Sequence, residues 1–199
     1  MEESALQGQQ DPSEHLYKLN RIYLAIIMRY VSYIEEKESI SVAELPTLVT
    51  PTNAEIIKKA DALKSKFAAY TYENNFFEAS MAAFEFVRDK IEYVSLPLQF
   101  WLMPEETLQF MAGDIIDKNV LLCSLIISLG NPSAKVLITI QNELRKVITY
   151  YEFNNRIYVL NVEDGISEYD SRNSMIESMH ADDDSVAYEF NDKMYIDII

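Results

Sequence analysis

Gly113-Asp114-Ile115-Ile116-Asp117 opens a run of residues, and Leu129-Gly130 closes it; this run, 113–130, decides how the chain folds. Asp114 suits the helix N-cap and Asp117 the third helical position, where carboxylates satisfy free amides and the positive end of the helix dipole. Val120, Leu121, Leu122, Leu125 and Ile126 then surround the axis with apolar side chains. A helix that is apolar all round has to be central. Gly130 ends it and Pro132 forbids its continuation. The pattern predicts a central helix over 115–129.

Toward the C-terminus, three apolar, β-rich runs follow: 135–141, 146–153 and 156–162. The last two flank Asn154-Asn155, a pair suited to the positive φ angles of a type I′ hairpin turn. From Val162 onward, eleven acids face only Arg172 and Lys193. Val186, Tyr188 and Phe190 nevertheless alternate into Asn191-Asp192, and Met194, Ile196 and Ile198 alternate out again. This predicts an exposed acidic loop over 163–184, then a terminal hairpin.

Toward the N-terminus, Pro97 and Pro104 punctuate an aromatic loop holding Phe100 and Trp101, and a short helix is expected over 105–111. Helical spacing predicts two more helices. One runs over about 76–91; the other opens at the capping box Thr52-Asn53-Ala54-Glu55 and runs to about residue 70. Residues 39–51, with Pro46 and Pro51, form a connector. Residues 1–10 read as a polar, frayed start, and Asp11-Pro12-Ser13-Glu14 opens a first helix ending near Lys37. Its broad stripe of Leu16, Leu19, Tyr23, Ile26, Tyr30 and Tyr33 is expected to bury against the other N-terminal helices, with a dimer interface as the alternative. The architecture is therefore α+β. It has a helical extension over 1–70, then a domain over 71–199 in which a central helix packs on an antiparallel sheet.

Composition narrows the function. The 199 residues hold 32 acidic against 17 basic side chains, a net charge of −15. This argues against nucleic-acid binding, which needs clustered cations for the phosphates. One cysteine permits no internal disulfide and no four-cysteine zinc site. The most apolar stretch, 23–34, is too short to span a membrane and contains Arg29, and no signal peptide is visible. No metal, cofactor or membrane role is expected, and the cytoplasm is the expected compartment.

The stretch 93–162 resembles the transglutaminase-like superfamily, in particular its bacterial and archaeal cysteine-peptidase branch. Trp101, Pro104, Glu106, Thr107 and Leu108 stand where that family has Trp-x-x-Pro-x-Glu-Thr-Leu. Gly113-Asp114-Ile115-Ile116-Asp117 stands at its Gly-Asp-Cys-x-Asp motif, and the distance to Leu129-Gly130 also fits. The resemblance implies a papain-like core and a Cys-His-Asp triad. In this chain the cysteine position is Ile115. Aligning the family's His-x-Trp puts Ile148 at the histidine and Tyr150 at the tryptophan, and the aspartate position becomes Asn161. Neither histidine, His15 or His180, lies on the expected strand.

Three functions follow. The first is a catalytically inactive protein of this kind that binds through its former cleft or its surface. Trp101, Asp114, Asp117 and Tyr150 are the candidate binding residues, and a protein is the expected partner. Trp101, Phe100 and Tyr93 suit either a groove wall or a lid. The second is a hydrolase, a peptidase or amidase, with a mechanism relocated to Asp114, Asp117 or Cys123. Cys123 lies about two turns beyond Ile115, where packing is its favoured role. The third is a structural subunit assembling through the N-terminal helices. The cluster His180-Ala181-Asp182-Asp183-Asp184 lacks the graded oxygen ligands and glycine of a calcium loop, so a solvated loop is favoured.

Overall fold

In a computed structural model of the chain, the described residues are 12–37, 41–95, 100–141, 144–179 and 186–198. The expected frayed start, Asp11 and the cluster 180–184 lie outside them. The chain divides into two compact units, 1–39 with 97–100 and 40–96 with 101–199.

The first unit holds α1 (Pro12–Arg29) and α2 (Val31–Lys37). The single helix expected here is interrupted at Tyr30. Its amide bonds back only three residues, to the Ile27 carbonyl, among the β-branched neighbours Ile26, Ile27 and Val31. Within this unit the two helices leave Leu16, Tyr23, Ile26, Tyr30 and Tyr33 of that stripe exposed.

The second unit contains α3 (Leu45–Leu48), α4 (Ala54–Lys64), α5 (Tyr72–Lys90), β1 (Glu92–Tyr93), α6 (Pro104–Phe110), β2 (Ala112–Gly113), α7 (Ile115–Ser128), β3 (Lys135–Gln141), β4 (Leu144–Phe153), β5 (Arg156–Asn161), β6 (Gly165–Tyr169), α8 (Arg172–Met179), β7 (Val186–Phe190) and β8 (Tyr195–Asp197). Residues 40–70, assigned from sequence to the N-terminal extension, supply Leu45, Leu48, Ile56, Ala60 and Leu63 to the main core. The second helix ends at Lys64, where the chain turns through 65–69. Asn53 is its cap, accepting the Glu55 amide at 2.9 Å.

Six strands form one sheet in the order β6-β5-β4-β3-β7-β8, every neighbouring pair antiparallel. Asn154 and Asn155, at φ 51° and 59°, make the expected two-residue hairpin between β4 and β5. The expected acidic loop is largely ordered secondary structure: β6 and α8 occupy most of 163–179. The terminal hairpin forms as β7 and β8.

The sheet is covered on both faces. Val136, Ile138, Val147, Tyr151 and Leu160 belong to the core built on α7, whose residues from Ile116 to Ile126 are all buried. A full burial of each large aliphatic side chain contributes roughly 1.5–3 kcal/mol, so this helix is the main apolar anchor. Phe76 of α5 joins the same face, 5.2 Å from the Tyr151 ring and 5.1 Å from Phe153. The opposite face, with Leu137, Ile148, Tyr150, Ile157 and Val159, packs around Met175 of α8. Among the described residues, no helix is long and apolar enough to cross a membrane.

Candidate functional site

The start of α7 is built by its own sequence. Asp114 Oδ1 accepts the Ile116 and Asp117 amides at 2.7 and 2.9 Å, and Asp117 Oδ2 accepts the Asp114 amide at 2.9 Å. This reciprocal capping satisfies donors that the first turn leaves free. Gly113 is required beside it: a Cβ there would meet Asp117 Cβ at 2.8 Å and Thr107 Cγ2 at 3.3 Å.

Asp117 also reaches outside its helix. Its Oδ1 accepts the Leu102 amide at 2.8 Å, while the next amide, Met103, donates to Glu106 at 2.9 Å. The consecutive amides of Leu102 and Met103 thus tie this loop to α7 and α6. Trp101 is partly buried against the main core. Burial, and then the Asp114 charge, push the Asp117 carboxyl up to about 7. Both candidate carboxylates are therefore committed to shaping the helix start and its loop.

Ile115 is partly buried against the core. One turn further, Asn119 spans from α7 to β4. Its amide donates to the Ile115 carbonyl at 2.8 Å, and Thr149 Oγ1 lies 3.0 Å from both its Oδ1 and its carbonyl oxygen. Lys118 is also buried, donating to the carbonyls of Ile91 at 2.9 Å and Arg88 at 3.3 Å. These carbonyls end α5, so the ammonium caps that helix. Cys123 is fully buried; its thiol is pushed up by that burial and then by Asp192.

Ile148, Tyr150 and Asn161 are not brought to this place. Ile148 and Tyr150 lie on the sheet face under α8, whereas Val147 and Thr149 face α7. Asn161 caps the turn into β6, accepting the Glu163 amide at 2.9 Å and donating to Asp164 at 2.8 Å. A one-residue step along a strand moves a side chain to the other face, so the residues facing α7 are Val147 and Thr149 on β4 and Leu160 on β5.

Tyr150 belongs to a different cluster, which sequence reasoning missed. Its hydroxyl donates to Glu189 Oε2 at 2.5 Å; the fully buried Glu189 side chain also meets Lys135 at 2.5 Å and Arg172 at 3.0 Å. Burial opposes the Glu189 charge, but Lys135, Tyr150 and Arg172 together hold its carboxyl below the ordinary value. Arg172 opens α8, so the network fastens that helix to the sheet. The missed signal was a glutamate at a position of β7 that pairs with the core strand β3.

No family model matches the chain, and no curated protein matches it by sequence. Among solved structures, it is similar to LapG of Legionella pneumophila in its EGTA-treated form. The TM-score is 0.51 at 14% identity, over 80% of this chain and 87% of that one. LapG has a transglutaminase-like fold. The fold of this chain is transglutaminase-like. A second LapG structure gives a TM-score of 0.47 at 16% identity, covering 80% and 88% of the two chains. A candidate cysteine protease of Cytophaga hutchinsonii gives 0.47 at 14%, covering 83% and 58%. At these identities the likeness concerns the transglutaminase-like fold alone, and the site must be argued from its own residues.

Proposed function

We propose that this chain is a non-catalytic binding protein built on a transglutaminase-like fold. The observation that carries the reading is what fills the junction between the first turns of α7 and β4. Covalent acyl chemistry needs a nucleophile there, an adjacent base and a group that orients the base. The junction holds Ile115, Val147 and the mutually bonded pair Asn119 and Thr149. Asp114 and Asp117 are occupied in capping, and Cys123 sits in the core with its thiol held protonated. What supports a protein partner is charge: the net charge of −15 favours encounter with a basic surface.

Thiol accessibility tests the reading. Iodoacetamide and a peptide aldehyde are added to the folded full chain, and the intact mass is followed. Labelling of Cys123 is expected only as fast as the protein globally unfolds, and no aldehyde adduct should form. Rapid alkylation of the native protein, or a stoichiometric aldehyde adduct on Cys123, would overturn it.

A further inference from the structure

A second surface feature lies between α4, α5 and α6. It is a groove of about 370 Å³ lined by Glu55, Lys58, Lys59, Phe86, Leu108 and Met111. Lys58 is ion-paired to Glu55 at 3.2 Å, which leaves the two of them neutral together. Lys59 is different. Its Nζ stands 3.2 Å from the centre of the Phe86 ring, and among the described residues it has no carboxylate partner. The ring face attracts the ammonium without cancelling its charge. Partial burial, and then the nearby Lys66, lower its proton affinity, as expected of a cation lacking an anion. In a chain of net charge −15, this is a local positive site beside an apolar wall.

We propose that this groove binds a free aliphatic monocarboxylate, with its carboxylate on Lys59 and its chain along Phe86, Leu108 and Met111. Charge complementarity selects a single anion, because one unpaired ammonium is on offer. The walls select an alkyl chain. They are helices, so no free strand edge awaits an extended peptide. An alkyl chain has no backbone polar groups to satisfy, and the groove's size falls within the range of small-ligand sites.

The test titrates the full chain with sodium octanoate and, separately, with 1-octanol, read by amide chemical shifts and calorimetry. Octanoate should bind with shifts clustered at Lys59, Phe86, Leu108 and Met111, and octanol at least tenfold more weakly. Lys59→Met should weaken octanoate at least tenfold and leave octanol unchanged, with the dispersion of its amide spectrum confirming that the variant is folded. A second variant, Leu108→Glu, should abolish octanoate binding by placing a like charge in the groove. Four results would overturn the proposal: no octanoate binding at millimolar concentration, equal affinity for octanol, unchanged octanoate affinity in Lys59→Met, or shifts clustered elsewhere.

Discussion

Replacing Asp117 with asparagine separates the two things its carboxyl does, bonding and titrating. In the folded chain the group is held up to about 7, against an ordinary value of 3.8. Between those values the folded state keeps a proton that the unfolded state has released. Stability from this group is therefore fully present below about 3.8 and is lost as pH rises through about 7. At 1.36 kcal/mol per unit, the change from pH 5 upward amounts to about 3 kcal/mol. Asparagine does not titrate. It keeps one acceptor for the amides of Leu102 and Asp114, but turns its NH₂ toward the other amide, a loss of about 1–3 kcal/mol. Asp117→Asn should thus be the less stable protein at pH 5, and the gap should close or reverse by pH 8. Urea denaturation followed by circular dichroism, on both proteins across that range, measures it. A gap that stays constant, or widens as pH rises, would refute the reasoning. It would mean that the two backbone donors stabilise the charge more than burial and Asp114 oppose it.

Glu189→Gln leaves Lys135 and Arg172 facing a buried neutral group, and should cost about 3–5 kcal/mol in urea denaturation at pH 7. Because the Glu189 carboxyl is held low, that cost should shrink as pH falls below its ordinary value of 4.5; a pH-independent cost would count against the ion network. Asn155→Gly should be neutral or stabilising by up to about 1 kcal/mol, since φ is 59° there, whereas Asn155→Val should destabilise. Equal melting temperatures for the two variants would contradict the turn assignment. Phe76→Ala should cost about 3–5 kcal/mol by opening a cavity against Tyr151 and Phe153; a loss below 1 kcal/mol would contradict that packing.

The helix over 115–128 was legible because its signals are local: two carboxylates at its start, an apolar run, then Gly130 at φ 116°. The Asn154-Asn155 hairpin was legible for the same reason. The face of β4 was not. From Val147 to Tyr151 the strand is buried on both sides, so no alternation of polar and apolar residues reveals which side chains meet α7. Ile148 packs under α8, while its neighbours Val147 and Thr149 face α7. Lys118, Asn119 and Glu189 were overlooked because their partners are remote in sequence: Ile91, Thr149 and Lys135. A buried polar group is explained only by the group it meets, and sequence spacing does not give that. The two-residue strands β1 and β2 carry no periodicity at all, yet their parallel pairing sets Gly113 at the head of α7.

The central claim is that the start of α7 is no catalytic centre in this transglutaminase-like fold. Its most direct test is amide turnover by the full chain, measured as hydrolysis of peptide amides and transamidation of a glutamine substrate. Wild type, Asp117→Asn and Cys123→Ser are compared. The account predicts product release at the buffer rate for all three. Wild-type turnover above that rate, lost in either variant, would contradict it.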